Sequence, residues 1–147
     1  MPSTELKAGF TLIEMMAVMM IVALVSSLVV AMIPGTGRSG LKALVMNTVA
    51  LLRRERLGAI LTGSDRHVSL DGERRIFIGE SGDEVVIPSD VVVDILGANA
   101  LWSGRLAVAS FHPDGGSSGA ALKFSREGVE YEVRVNWYTG GVAVETP

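Results

Sequence analysis

The segment KAGFTLIEMMAVMMIVALV, residues 7–25, decides the fold, because it is an apolar run that keeps one acid, Glu14, near its start. An ionised carboxylate inside hydrocarbon is costly unless an opposite charge meets it, so we expect this acid to have a partner. The apolar run extends over 24 residues, from Phe10 to Ile33. A helix of that length is about 36 Å long, against a hydrocarbon core of about 30 Å. We therefore predict a membrane-spanning helix over residues 10–33.

The composition limits the rest of the chain to one globular domain. The 147 residues are 48% apolar and 20% charged, and much of the apolar fraction lies in the first 33 residues. There is no cysteine, and the two histidines, His67 and His112, lie far apart and outside any spaced cluster of ligand residues. We expect no metal site and no cofactor.

The charges are distributed unevenly along the chain. From Asp71 to the end, twelve acids stand against six bases, so the distal half carries about -6. Such a surface repels the phosphates of nucleic acid. We therefore expect no nucleic-acid partner.

A short polar leader, MPSTELKAG, precedes the apolar run and ends in Gly9. Cleavage after Gly9 would place a new amino terminus on Phe10, with Thr11 and Glu14 in the first helical turn. The helix dipole favours an acid there, but by too little to explain burial in a membrane.

The string KAGFTLIEMM resembles the processing site and helix start of type IV pilins and of type II secretion pseudopilins. The resemblance implies that a prepilin peptidase cuts between Gly9 and Phe10 and methylates the new terminal amine of Phe10. It also implies that Glu14 pairs with the terminal ammonium of a neighbouring subunit in a helical filament. The count of basic residues favours a cytoplasmic C-terminal side, whereas the resemblance implies a cytoplasmic leader and a periplasmic head. We follow the resemblance.

A Gly/Pro connector, PGTGRSG at residues 34–40, separates the apolar run from a second helix predicted over residues 41–62. The connector lacks the spacing of a phosphate-binding loop, because a leucine separates Gly40 from Lys42. In the second helix, apolar residues at helical spacing predict one stripe that docks on a sheet. We assign to it Leu41, Leu44, Val45, Thr48, Leu51 and Leu52, and after a charged stretch Leu57, Ile60 and Leu61.

Residues 63–147 change to the short, alternating apolar runs that are typical of strands separated by turns. The clearest strand is VEYEVRVNW, residues 129–137. Its alternation predicts that one face lies in the core, formed by Val129, Tyr131, Val133, Val135 and Trp137. We predict a β-rich head of mostly antiparallel strands.

The loop HPDGGSSG, residues 112–119, contains the residue types of an acyl-transfer triad. Three groups on one glycine-rich loop are poorly held for such chemistry, so we interpret the loop as a turn and predict no catalytic residues. The acids Asp71, Asp83, Asp90 and Asp94 do not have the spacing of a calcium loop either.

The stretch from Phe111 to Glu145 resembles the tail of minor pseudopilins of the H class. Together the two resemblances imply an α+β, pilin-like fold, in which the hydrophobic helix continues into an amphipathic helix packed on a mostly antiparallel β head. They imply a non-enzymatic minor pseudopilin of the type II secretion system, single-pass in the bacterial inner membrane with its head in the periplasm, that enters the pseudopilus and helps to export folded proteins. The implied partners are other minor and major pseudopilins, the prepilin peptidase and the inner-membrane assembly platform, with a secreted substrate as a further candidate. The alternative is a minor pilin of a type IV pilus or of a DNA-uptake system.

Overall fold

The computed structural model describes residues 11–32, 38–96, 101–102 and 104–145. The chain divides into two compact units, Met1–Pro34 and the head, Gly35–Pro147. The predicted leader, the predicted helix ends Phe10 and Ile33, and residues 34–37 of the predicted connector lie outside the described residues.

The first helix, α1, spans Leu12–Met32 and begins with a capped turn. The N–H of Glu14 donates to the carbonyl of Thr11 (3.1 Å) and to its Oγ1 (3.3 Å), so Thr11 serves as the N-cap. The hydroxyls of Ser26 and Ser27 donate to the carbonyls of Val22 (2.7 Å) and Leu24 (2.8 Å). The two serine hydroxyls in this apolar helix are thus satisfied by its own backbone.

Across the residues that the structure describes, no helix has both the length and the apolar character that crossing a bilayer requires. The membrane span over residues 10–33 stays a prediction.

The second helix, α2, spans Arg38–Thr62 and begins three residues before the predicted start at Leu41. It ends at Gly63, which adopts a φ of 65° and donates to the carbonyl of Ala59 (3.0 Å). The first part of the predicted stripe is confirmed, because Leu41, Leu44, Val45, Thr48, Leu51 and Leu52 are all buried.

The last part of the stripe is wrong, since Leu57, Ile60 and Leu61 are 56%, 41% and 75% exposed. Successive residues turn about 100° round a helix, so Ala59 returns to the side of Leu41 while Leu57 lies about 160° away. The buried face therefore continues through Glu55 and Ala59, both of which are fully buried.

The described residues of the head form nine strands, and all of the pairings between these strands are antiparallel. The strands are β1 Arg66–Asp71, β2 Ile76–Gly79, β3 Glu84–Val86, β4 Val92–Leu96, β5 Leu101–Trp102, β6 Arg105–Phe111, β7 Ala120–Arg126, β8 Val129–Val135 and β9 Val142–Glu145. They form two sheets, one in the order β3-β2-β1-β6-β5 and one in the order β4-β7-β8-β9. The predicted antiparallel head is confirmed, whereas its division into two sheets and the short β5 were not predicted.

The core lies where α2 meets both sheets. Phe77 on β2 and Phe124 on β7 pack edge to face with ring centroids 6.1 Å apart, so the two sheets meet through this pair. Leu52 of α2 and Leu122 of β7 belong to the same fully buried cluster. Each such side chain contributes about 1.5–3 kcal/mol through burial, so the contact with α2 is a main source of the stability of the head.

Trp137 does not lie in the core, because it is 69% exposed. Strand β8 ends at Val135, and Oδ1 of Asn136 then accepts from the N–H groups of Tyr138 (2.9 Å) and Thr139 (3.0 Å). These bonds form a turn and end the alternation one residue before Trp137.

Candidate functional site

Apart from Glu14, Ser26 and Ser27, the described side chains of α1 are apolar, and they cover all sides of the helix. Its large side chains are 48–83% exposed, and they are Leu12, Ile13, Met15, Met16, Val18, Met19, Met20, Ile21, Val22, Leu24 and Val25. A helix of this kind is stable only where other apolar groups surround it. The described part of α1 is therefore a surface that another molecule or a lipid phase has to cover.

Glu14 lies in the first turn of this helix, and its side chain is exposed. None of the ion pairs formed between described residues includes it. The other two predicted site residues, Gly9 and Phe10, lie outside the described residues. Cleavage between them, and the pairing of Glu14 with a terminal amine, remain predictions.

The head contains a buried carboxylate that the sequence interpretation missed. The side chain of Glu55 is fully buried on α2, and its Oε2 lies 3.3 Å from Nη1 of Arg66 on β1. Its Oε1 accepts from the N–H of Ser81 (3.1 Å) and from the Ser81 hydroxyl. A buried charge is tolerated when an opposite charge and further donors satisfy it, so Glu55 is a compensated ion that fixes α2 to β1 and to the turn after β2.

Two glycines make room for this ion pair. A Cβ on Gly58 would lie 2.8 Å from Nε of Arg66, and a Cβ on Gly79 would collide with Oε1 of Glu55 and lie 3.0 Å from Cδ1 of Leu51. A signal for the site was present in the sequence, since Glu55 follows Leu51 and Leu52 by four and three residues on the buried stripe. The sequence interpretation places Glu55 in the charged stretch between the two parts of the apolar stripe.

The ion pair continues to the surface through Ser81. The Ser81 hydroxyl shares its one proton with Oδ2 of Asp83, which lies 3.0 Å away, and this Asp83 oxygen accepts from Nη1 of Arg54 (2.6 Å). The hydrogen bonds from Arg54 and then from Ser81 lower the pKa of Asp83. Asp83 in turn raises the pKa of Arg54. The β2–β3 turn is therefore bound to α2 at two points.

The loop at residues 112–119 forms the predicted turn and does not assemble a triad. Oδ1 of Asp114 accepts from the N–H of Gly116 (2.8 Å), and Gly115 has a φ of 88°. Nδ1 of His112 lies 3.0 Å from Oδ1 of Asp65, whereas the hydroxyl of Ser117 donates to the carbonyl of Asn136 (3.0 Å). His112 and Ser117 thus have separate partners.

Comparison with known proteins gives two matches at the level of sequence. Residues 6–30 match the family model described as the prokaryotic N-terminal methylation motif. The chain is also 29% identical over 137 residues to "Type II secretion system protein H" of Xanthomonas campestris pv. campestris, and the match covers 91% of this chain and 80% of that protein.

The fold resembles two solved structures of the minor pseudopilin EpsH from the type II secretion system of Vibrio cholerae. The first has a TM-score of 0.58 and 14% identity, and the match covers 72% of this chain and 96% of that chain. The second has a TM-score of 0.54 and 15% identity, with coverages of 69% and 90%. At this identity the likeness concerns the fold, and it confirms the predicted pilin-like α+β architecture.

Proposed function

We infer that the chain is a type IV pilin-like minor pseudopilin of the H class and that it works as a subunit of the type II secretion pseudopilus. The observation that carries this inference is the 29% identity over 91% of the chain, since it joins the methylation motif and the head in one match. The head fold agrees with it. The alternative of a type IV pilus or a DNA-uptake system is not favoured by these similarities.

The apolar surface of α1 supports a role in anchoring and assembly. Before assembly α1 would hold the subunit in the membrane, and in the filament the helices of neighbouring subunits would surround it. Packing between the helices supplies most of the attraction in such a bundle, with Ala17 and Ala23 allowing close approach.

Glu14 would act on the register of assembly. Cleavage after Gly9 frees the amine of Phe10, and the ammonium of a neighbouring subunit would meet the carboxylate of Glu14. Pairing removes much of the penalty of burying a charge, so a subunit that is out of register would retain an unpaired ion. The exposure of Glu14, which forms no ion pair with another described residue, supports this role.

Pseudopilins associate with other pseudopilins and with the prepilin peptidase. For this chain we propose minor and major pseudopilins as neighbours, an inner-membrane assembly platform that takes up the processed subunit, and contact with secreted substrates. The subunit would cross the inner membrane once, with its head in the periplasm.

The head would act as a rigid body without catalysis. The proteins that the chain resembles are structural subunits. The Glu55–Arg66 pair and the Arg54–Asp83 pair bind α2 to the sheet and to the β2–β3 turn, which suits a part that transmits force. The growing filament would then push folded substrates toward the outer membrane.

The test is secretion by cells in which the gene for this chain is replaced by a variant. We expect Glu14→Ala to reach the membrane with a folded head but to lose incorporation into the pseudopilus, and secretion to the medium with it. Glu80→Ala is the matched control, because Glu80 is an exposed acid of the head, and it should secrete normally. Normal secretion by the Glu14 variant would refute the assembly mechanism, and normal secretion without the chain would refute the function.

A further inference from the structure

The head carries an exposed apolar surface at the C-terminal end of α2. On the helix it consists of Leu57, Ile60 and Leu61, whose spacing places them on neighbouring turns of one side. On the turn between β8 and β9 it consists of Trp137 and Tyr138, which are 69% and 75% exposed. We call these five residues the distal patch.

Gly115 and Arg56 connect the two parts of the distal patch. A Cβ on Gly115 would lie 3.6 Å from Cδ1 of Ile60, and a Cβ on Gly140, in the β8–β9 turn, would collide with the carbonyl oxygen of Gly115. Nε of Arg56 donates to the carbonyls of Gly115 (3.3 Å) and Thr139 (3.1 Å). The end of α2 and the β8–β9 turn are therefore fixed side by side.

The two aromatic side chains lie on the hydrogen-bonded β8–β9 turn. The turn is closed by bonds from Asn136 N–H to the carbonyl of Gly141 (2.9 Å) and from Gly140 N–H to the carbonyl of Asn136 (2.8 Å). The rings of Trp137 and Tyr138 pack edge to face with centroids 5.7 Å apart. Exposed Trp and Tyr on a fixed backbone are typical of interface hot spots, because little freedom is lost when a partner binds.

The charge beside the distal patch is positive and is not neutralised by described acids. Arg53 donates to the carbonyl of Val142 (3.1 Å), and Arg56 donates to the two carbonyls named above. None of the ion pairs among the described residues includes either arginine. The acid of the neighbouring loop, Asp114, accepts from the N–H of Gly116. A partner with carboxylates around an apolar centre complements this surface.

The position of the patch indicates where such a partner would lie. From Arg38 to Leu61 the helix rises by about 35 Å, so the patch lies at the end of α2 farthest from the connection to α1. Because the patch belongs to the head and α1 is the predicted assembly helix, a partner at the patch would make a contact additional to those of α1.

We propose that the distal patch docks an acidic, apolar surface on the head of another pilin-like subunit. This proposal rests on the proposed function. Apolar side chains of the partner pack against Leu57, Ile60, Leu61 and the two aromatic rings, and its carboxylates face Arg53 and Arg56.

The test uses the full-length chain in secreting cells, with the photo-crosslinking residue p-benzoylphenylalanine placed at Leu61 or Tyr138. The control position is Glu130, an exposed residue of β8. We expect Leu61 and Tyr138 to form a product that peptide mass spectrometry assigns to an acidic segment of another pilin-like subunit, and Glu130 to form none. A product with a second copy of this chain, a product with a secreted substrate, or no product would overturn the proposal.

Variants test the chemistry of the contact. Replacing both aromatic residues, Trp137→Ala with Tyr138→Ala, should reduce the Leu61 product at least about tenfold, as expected for hot-spot residues. Arg53→Glu should reduce it as well, whereas Lys42→Glu, the same charge change near the start of α2, should not. Equal yields from the Arg53 and Lys42 variants would overturn the role of charge.

A crosslinker at Met16 on α1 separates this proposal from the proposed function. If Met16 crosslinks to pilin-like subunits while Leu61 and Tyr138 do not, the docking proposal fails and the function stands. If none of the three positions reaches a pilin-like subunit, both fail.

Discussion

Oε2 of Glu55 lies 3.3 Å from Nη1 of Arg66, and this pair joins the C-terminal half of α2 to the first strand of the head. The carboxylate is fully buried, while the Arg66 side chain remains 24% exposed. Because water cannot hydrate this carboxylate, its negative charge is stabilised by Arg66 and by the N–H and hydroxyl of Ser81. The geometry of the head around α2 therefore depends on one buried ion.

Removal of this carboxylate should destabilise the head strongly. We expect Glu55→Ala to lower the free energy of unfolding by about 3 kcal/mol, because it leaves a cavity and deprives Arg66 and Ser81 of their acceptor. Denaturant unfolding of the full chain in detergent micelles, followed by tryptophan fluorescence, would measure it. Glu80→Ala, at an exposed acid, should change the stability by less than about 0.5 kcal/mol. Equal effects of the two substitutions would contradict the assignment.

Gly79 should be required for space and not for its backbone conformation. Gly79→Ala would drive a methyl group into the Glu55 carboxylate, and we expect a loss of about 1–3 kcal/mol. Gly72→Ala is the control, since a Cβ there meets no atom within 4 Å. In the Glu55→Ala background the cost of Gly79→Ala should largely disappear, because the colliding group is gone. If the losses of unfolding free energy from Gly79→Ala and Glu55→Ala were additive in the double variant, the collision with Glu55 would not be the cause of the Gly79→Ala loss.

The Arg54–Asp83 pair should make stability depend on pH in the acid range. Hydrogen bonds from Arg54 and Ser81 lower the pKa of Asp83 below its ordinary value of 3.8 in the folded chain. As pH falls, Asp83 is then protonated in the unfolded chain before it is protonated in the folded chain. Its contribution to the free energy of unfolding is therefore complete above the ordinary pKa and is lost as pH falls through the lowered pKa. We expect the stability difference between the native chain and Asp83→Asn to shrink as pH falls below about 4. A difference independent of pH would contradict the pairing.

Processing at the leader should depend on the small residue before the cut. We expect the mature chain to lack residues 1–9 and to carry a methyl group on the amine of Phe10, which intact-mass and N-terminal peptide spectrometry would show. Gly9→Leu should accumulate with its leader attached, while Ala8→Ser should be processed. A mature native chain that retains Met1–Gly9 in cells with active peptidase would contradict the predicted cleavage and the pairing of Glu14.

The type and approximate position of local elements could be predicted where residue periodicity is regular. The strand now called β8 was predicted from its alternation, and the buried stripe of α2 was predicted correctly as far as Leu52. The predicted stripe is wrong beyond Leu52, because Leu57 and Leu61 are apolar but lie on a different side of the helix from the buried face. Trp137 was misplaced because Asn136 forms a turn through side-chain hydrogen bonds that the alternation pattern does not include.

The sequence predicts only the N-terminal part of the candidate site, and that part stays a prediction. Gly9, Phe10 and Glu14 belong to a contiguous motif, so one short string names all three. Glu55, Arg66 and Ser81 come from three separate elements, and their spacing along the chain forms no motif. The same is true of the distal patch, which joins the end of α2 to a turn more than seventy residues later.

The sequence by itself determined the apolar helix with its lone acid, the amphipathic second helix and the antiparallel strands. These follow from local periodicity and from the preferences of neighbouring residues, which act over a few positions of the chain. Only the tertiary structure decided that Glu55 is buried, that the strands form two sheets, and that Leu57, Leu61 and Trp137 remain exposed. Burial depends on contacts between residues distant in the chain, and the same side chain is stable inside or outside according to the partners that the fold brings to it.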